Sequence, residues 1–277
     1  MVAQAASRRL GVLLRQVGGG PGRAAPAAAA EESSSSGTTT FYIVRHGETE
    51  WNRQGRQQGS VDAPLNAAGI AQAEAVAAVM ADWPCDAVAT SPLSRTASTA
   101  KAIHRHHPSV PYREYPGLAE ANAGDLERRL HSDPDVAAAM DRCNTMWRAG
   151  VKTFPYPRGE SPALVIRREL PPPAPRRVDT IAYSPVRLHA AGAKAALAEA
   201  SSLGSNVIVS CHGMVLKCLA WATLECDWAE LEVTIPNACV STYEYDRRTG
   251  ELTLLKLFEV VIEGEALDDV QANAGRH

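Results

Sequence analysis

The short apolar run Phe41 to Val44 ends in Arg45-His46-Gly47, a guanidinium and an imidazole side by side followed by a residue with no side chain. Two later segments end in the same kinds of residue: Arg95 within Ser91-Pro92-Leu93-Ser94-Arg95-Thr96, and His212-Gly213 after Val209-Ser210-Cys211. Such a set suits a phosphate ester. A phosphate monoester carries nearly two negative charges, and attack on it requires that charge to be neutralised and a nucleophile to be held in line. Arg45 and Arg95 suit the first task, because guanidinium forks match phosphate oxygens in bidentate geometry. Each charge-assisted hydrogen bond is worth roughly 1.5 to 3 kcal/mol. His46 suits the second. A neutral imidazole is nucleophilic, its unperturbed pKa is about 6.5, and flanking arginines bias it further toward the neutral form. His212 would bond phosphoryl oxygens as charge develops. Gly213 would let the backbone approach the phosphate, with the N-terminus of the following helix pointing at it.

The elements needed to bring these residues together are legible as an alternation. Phe41 to Val44 reads as a buried strand. Asn66 to Trp83 is Ala-rich and helical, and stops before Pro84. Asp86 to Thr90 is a second strand, followed by a helix over Pro92 to His104 that opens after Ser91. Asn206 to Ser210 is a third strand leading into a helix over Met214 to Leu224. Strand, polar loop and helix recur three times. This predicts an α/β fold, a three-layer α/β/α sandwich around a largely parallel sheet, with ligand sites beyond the carboxyl ends of the strands. Arg45, His46, Ser91, Arg95 and His212 all fall there. Val240 to Asp246 and Leu252 to Phe258 alternate around Arg248-Thr249-Gly250 and read as an edge hairpin. Helical pattern also covers Leu188 to Ser201.

The tripeptide alone is weak, but its surroundings are specific. Arg45-His46-Gly47-Glu48-Thr49 continues through Trp51-Asn52, Gly55-Arg56, Gln58-Gly59, Asp62, Pro64-Leu65-Asn66, Gly69 and Gln72-Ala73. Ser91 to Thr96 with Thr99-Ala100 follows, then Leu118-Ala119-Glu120 with Gly124 and Glu127, then Val209 to Gly213. In order and separation these segments resemble the histidine phosphatase superfamily, also called phosphoglycerate mutase-like, over about residues 41–258. Gly159-Glu160-Ser161 and Ile235-Pro236-Asn237 are weaker matches. The resemblance implies a phosphoglycerate mutase-like fold and a phosphohistidine on His46. It puts the proton donor for the leaving group at Glu120, and phosphate or substrate contacts at Asn52 and Gln58. On the residues alone, Asp125 and Glu127 are nearby carboxylates that could serve as the acid.

The chain departs from the family around the acid loop. Where relatives commonly carry aromatic residues, in the manner of Phe-Gly-x-Trp-Glu-Gly, it has Ala123-Gly124-Asp125-Leu126-Glu127-Arg128. Specificity therefore does not transfer from any one member. The helix expected after Gly159-Glu160-Ser161 is predicted to be displaced by a Pro-rich insertion at about residues 164–187, around Leu170-Pro171-Pro172-Pro173-Ala174-Pro175. The opening Arg-His-Gly-Glu-Thr-x-Trp-Asn resembles phosphatase-type members, since mutases more often have Ser in place of Thr49, and Leu126 to Gly159 is short for a mutase lid. The resemblance thus implies hydrolysis of a phosphomonoester, with mutase-type transfer or non-catalytic binding of a phospho-ligand as the alternatives. The substrate class is a small phosphorylated metabolite or a phosphoprotein.

Composition narrows the rest. With 277 residues, 45% hydrophobic and a formal charge of −3, the chain can bury a sizeable core, and it has no basic surplus that would support a nucleic-acid partner. No stretch approaches the roughly 18 apolar residues of a membrane helix, so a soluble protein with no membrane partner is expected. Cys85, Cys143, Cys211, Cys218, Cys226 and Cys239 show no zinc spacing and read as reduced thiols. His104, His106 and His107 lack matching carboxylates and read as surface residues. Nothing calls for a metal or another cofactor, and an oligomer is compatible with the sequence. Residues 1–40 stand apart. No acidic residue precedes Glu31, and Leu10, Leu13, Leu14 and Val17 share a helical face opposite Arg8, Arg9 and Arg15, which is the pattern of a targeting peptide for a mitochondrion or chloroplast. The histidine phosphatase domain is expected over residues 41–262, with a tail over 263–277.

Overall fold

The computed structural model describes residues 37–167, 192–224 and 226–260. The targeting-like segment up to residue 36, nearly all of the Pro-rich insertion and the tail lie outside the described residues. Six strands form one mixed sheet: β1 Thr38–Arg45, β2 Ala87–Thr90, β3 Tyr112–Glu114, β4 Asn206–Cys211, β5 Val240–Asp246 and β6 Leu252–Glu259, in the order β3-β2-β4-β1-β5-β6. The first four in that order are mutually parallel; β5 runs antiparallel to β1, and β6 to β5. The edge hairpin is as expected. Strand β1 starts three residues before its apolar run, because Thr38, Thr39 and Thr40 continue the ladder opposite Asp246, Tyr245 and Glu244; β-branched threonine fits a pleated strand without being apolar.

Among the described residues the α-helices are α1 Glu50–Arg53, α2 Ala67–Val79, α3 Ser94–His104, α4 Pro134–Arg148, α5 Pro162–Arg167, α6 Ala193–Ala200 and α7 Gly213–Leu224. They cover both faces of the sheet, and the alternation of strand side chains assigns them. Tyr42, Val44, Val88 and Ile208 point to one face and pack on Val76 and Ala77 of α2 and Ala100 and Ile103 of α3. Phe41, Ile43, Ala89, Val207 and Val209 point to the other and pack among residues of α4, α6 and α7, including Trp147, Leu197 and Leu219. A strand buried on both faces has no polar side to show, which is why β1 and β4 read as continuous apolar runs.

Two expectations about helices need correction. The segment after Ser161 is not displaced: α5 forms at Pro162, as an N-terminal proline allows, and Val165 is buried in the core. Helix α3 opens at Ser94 rather than just after Ser91. Ser91 instead uses its Oγ to accept from the Leu93 N–H at 3.3 Å and to meet His212. His104 and His107 are half-buried, each with Nε2 donating to a backbone carbonyl, of Val110 and Met80 respectively. All six cysteines are free thiols, and five of them are buried. No described helix is long and apolar enough to cross a membrane.

Candidate active site

The carboxyl ends of β1, β2 and β4 lie side by side, since β4 sits between the other two in parallel register. The loops leaving them therefore meet. Arg45 and Cys211 are register partners, so the residues that follow, His46 and His212, emerge together. Their rings lie 5.3 Å apart, centroid to centroid, edge to face. Gly47 is sterically required there: a Cβ on it would fall 2.2 Å from the Gly69 carbonyl oxygen, and one on Gly69 would fall 1.9 Å from the Glu48 oxygen. The loop after β1 thus rests directly on the first turn of α2. Asn66 caps that turn, accepting from Gly69 N–H at 2.8 Å.

His46 is 2% exposed, and its Nδ1 lies 2.7 Å from the Gly47 carbonyl. A carbonyl oxygen can only accept, so Nδ1 carries the proton and the lone pair sits on Nε2. Burial, with the guanidinium charges of Arg95 and Arg45 adding to it, holds the imidazole well below its usual pKa. The ring is neutral and nucleophilic at physiological pH. Asn237 fixes the same residue from behind, donating from Nδ2 to the His46 carbonyl at 2.9 Å.

Arg95 is fully buried and donates from Nη1 to Val61 O at 2.8 Å and from Nη2 to Gly59 O at 2.9 Å, while its Nε–H has no partner among the described residues. Burial lowers its pKa to about 10, leaving it charged. Arg45 donates from Nη1 to the Ile235 carbonyl and likewise keeps a buried, unpartnered Nε–H. An unsatisfied buried donor on a charged group is costly to keep. Two of them on the residues flanking His46 mark a place prepared for an anion.

His212 is fully buried, with Nε2 2.8 Å from Ser91 Oγ. It is not among the residues lining the open cleft, whereas Arg45, His46, Asn52, Gln58, Arg95, Glu120 and Gly213 all line it. Gly213 does not act through tight backbone packing, since a Cβ there would make an ordinary 3.5 Å contact with Arg45 Nε. What its missing side chain leaves open is the face of that guanidinium. The amide at the N-terminus of α7 is also differently employed than expected. Met214 N–H donates to Glu120 Oε2 at 3.1 Å, and Ala121 N–H donates to Oε1 at 2.9 Å. The helix end therefore holds the carboxylate, a stable place for negative charge.

Of the three carboxylates that could act as the acid, Glu120 alone lines the cleft. Asp125 accepts from Arg158 Nε at 2.6 Å, and Glu127 accepts from Ser60 N–H at 2.7 Å and Ala123 N–H at 3.1 Å. Asn52 Oδ1 accepts from Thr49 N–H at 3.2 Å, so its carbonyl end serves the capping box of α1. Gln58 carries a buried Oε1 with no partner among the described residues.

Sequence reasoning missed the outer part of the cleft, whose volume is about 460 Å³. Trp51, Trp147, Tyr156 and Trp228 form aromatic walls, and Lys217 and Glu232 contribute charge. Trp147 packs edge-on against both Tyr156 and Trp228. Helix α4, which supplies Trp147, carried a signal that was available: Pro134 at a first helical position, then Val136, Ala139, Cys143 and Trp147 on one face.

Fold and site together define an α/β/α protein with a histidine and two arginines at the carboxyl ends of its parallel strands. Residues 41–171 and 183–257 match the histidine phosphatase superfamily (branch 1), and the chain belongs to that superfamily. It is 30% identical over 207 residues to the probable phosphoglycerate mutase GpmB of Escherichia fergusonii, covering 74% of this chain and 84% of that one. Against the uncharacterized phosphatase PhoE of Bacillus subtilis it is 40% identical over 98 residues, which is 34% of this chain and only half the length of that relative. Among solved structures, a mycobacterial glucosyl-3-phosphoglycerate phosphatase superposes with a TM-score of 0.61 at 22% identity, over 80% of this chain and all of that one. A phosphoglycerate mutase from Bacillus anthracis gives 0.57 at 21% identity, over 81% and 94%. The fold is thus phosphoglycerate mutase-like.

Proposed function

We propose that the protein is a phosphohydrolase that cleaves a small phosphomonoester through a phosphohistidine on His46. The observation that carries this is the neutral His46, its Nδ1–H bound to Gly47 O and its Nε2 free to attack, beside the fully buried Arg95 and the half-buried Arg45, each with a buried Nε–H that has no partner among the described residues. Arg45 and Arg95 receive the phosphate oxygens, and Nε2 forms a bond to phosphorus as the bond to the ester oxygen breaks. Glu120, the carboxyl group that lines the cleft beside Arg45 and Arg95, gives a proton to the departing oxygen. A water then attacks phosphorus, Glu120 takes up its proton, and the phosphorus–nitrogen bond breaks to release phosphate and neutral His46. His212, held by Ser91 with its ring 5.3 Å from that of His46, supports the nucleophile's surroundings as charge develops in both steps. Charge neutralisation comes from these side chains, so the reaction needs no metal.

A mutase reading has one observation in its favour, the 30% identity to GpmB over most of both chains. A mutase returns the phosphoryl group to a second hydroxyl before water reaches it. The test is release of phosphate from p-nitrophenyl phosphate and a panel of phosphometabolites in EDTA, comparing wild type with His46→Ala. Activity that survives chelation and disappears in the variant is the expected result. Interconversion of 3- and 2-phosphoglycerate outpacing phosphate release would assign a mutase, and binding without turnover would assign a phospho-ligand binding protein.

A further inference from the structure

Lys217 is a cation in the cleft that the phosphoryl chemistry does not use. It lies four residues beyond Gly213 on α7, one helical turn or about 6 Å along the axis from the residue that opens onto Arg45. It is half-buried and lines the cleft, yet its ammonium makes no hydrogen bond or ion pair with any described residue. The carboxylate that shares this end, Glu232, is already engaged by Arg148 at 2.5 Å. Burial and the nearby Arg45 charge pull the Lys217 pKa down to about 8, with Glu232 opposing them. A desolvated ammonium facing a like charge is unfavourable in the empty site, and a second anion would relieve both costs. The charge count agrees. Arg45, Arg56, Arg95 and Lys217 line the cleft against Glu120 and Glu232; Arg56 already donates to Gln54 Oε1 and to the Arg128 carbonyl, and a phosphate accounts for Arg45 and Arg95, which leaves Lys217.

Building on the phosphomonoester reading, we infer that Lys217 is a specificity-determining residue that binds a second anionic group on the substrate, a carboxylate or a second phosphate a few bonds from the scissile one. The short reach along α7 requires both anions on one compact molecule. The aromatic walls of Trp147 and Trp228 lower the local dielectric around that contact and strengthen it.

The inference is tested by binding, so that it does not depend on turnover. In the full chain carrying His46→Ala, calorimetry compares 3-phosphoglycerate with glycerol 3-phosphate, and fructose 1,6-bisphosphate with fructose 6-phosphate. The doubly anionic member of at least one pair should bind roughly 10- to 100-fold more tightly. Adding Lys217→Met should collapse that ratio, and adding Lys217→Arg, which keeps the charge, should preserve it. The first pair reports a carboxylate and the second a phosphate. Absence of any preference, or a preference that survives Lys217→Met in protein that melts like its parent, overturns the inference. Hydrolysis by the wild type, measured separately, decides the phosphohydrolase reading whatever this ratio shows.

Discussion

The two ends of the cleft are built in different ways. At the inner end, Arg45, His46 and Arg95 sit on or just past the ends of adjacent strands and are pinned by backbone, Gly47 O, Gly59 O, Val61 O and Ile235 O, with Ser91 and His212 bonded to each other beneath the surface. At the outer end, Trp147 and Lys217 come from helices and Trp228 and Glu232 from a single turn of 3₁₀ helix and its C-cap; the two tryptophans pack on each other, and Glu232 pairs with Arg148. The inner end is set by hydrogen-bonded geometry that tolerates few alternatives. The outer end is set by core packing, which allows many. A fold built this way keeps one chemistry while its substrate pocket changes.

The sharpest way to break the comparison is to remove the hub of the outer end. Trp147 is 1% exposed, donates from Nε1 to Phe154 O at 2.9 Å, and contacts two other rings. Trp147→Ala should cost about 3 to 5 kcal/mol of stability in urea unfolding. At a temperature where the variant is still folded, attack on a small substrate such as p-nitrophenyl phosphate should be much less affected. Equal loss of both would show that the two ends are not separable.

Arg95→Lys tests the inner end. It keeps the charge but loses the fork that spans Val61 O and Gly59 O while offering Nε–H to phosphate. The expected loss in kcat/KM is about 10²-fold, measured below the melting temperature of the variant, which the two lost backbone bonds should lower. A variant within a factor of a few of wild type would mean that charge alone suffices.

These two positions were not equally legible in the sequence. Arg95 stands in a contiguous segment with Ser91, Thr96 and Thr99, each with a job near the site: Thr99 Oγ1, for example, accepts from Gly47 N–H at 3.2 Å and donates to Arg95 O at 2.9 Å. Local constraint writes a local motif. Lys217 and Glu232 face the same cleft only because the chain folds, and no spacing marks them. The same contrast holds for the fold. Strands β1 and β4 show as apolar runs because they are buried on both faces, while β3 has three residues, two of them exposed, and gives no pattern. Gly47 and Gly69 are obligatory for a reason that only coordinates show, the contact between their two backbones.

Acid should reveal the cost of burying His46 neutral. Its folded pKa lies well below the unfolded value of about 6.5, so below that pH the unfolded chain binds a proton that the folded chain refuses. Stability is therefore lost as pH falls from about 6.5 toward the folded pKa, at about 1.4 kcal/mol per pH unit from this residue. Melting of wild type and His46→Asn between about pH 7 and 5 should show a steeper decline for wild type. Parallel curves would place the proton elsewhere.

The smallest effect concerns positioning. Ser91→Ala removes the partner of His212 Nε2 and should lower kcat by about 10-fold with little change in KM. Recovery in Ser91→Thr, which restores a hydroxyl, would separate orientation of His212 from a general loss of structure. An unchanged kcat would mean that the ring is held without Ser91.

The central claim is a covalent intermediate on one nitrogen, and it is open to direct observation. Wild-type protein mixed with a phosphomonoester and quenched in alkali, where phosphohistidine survives, is digested with trypsin and analysed by mass spectrometry. The account predicts one added phosphoryl group on the peptide His46 to Arg53, absent in His46→Ala. Steady turnover with that peptide unmodified at every quench time, or with the label on another residue, would contradict it.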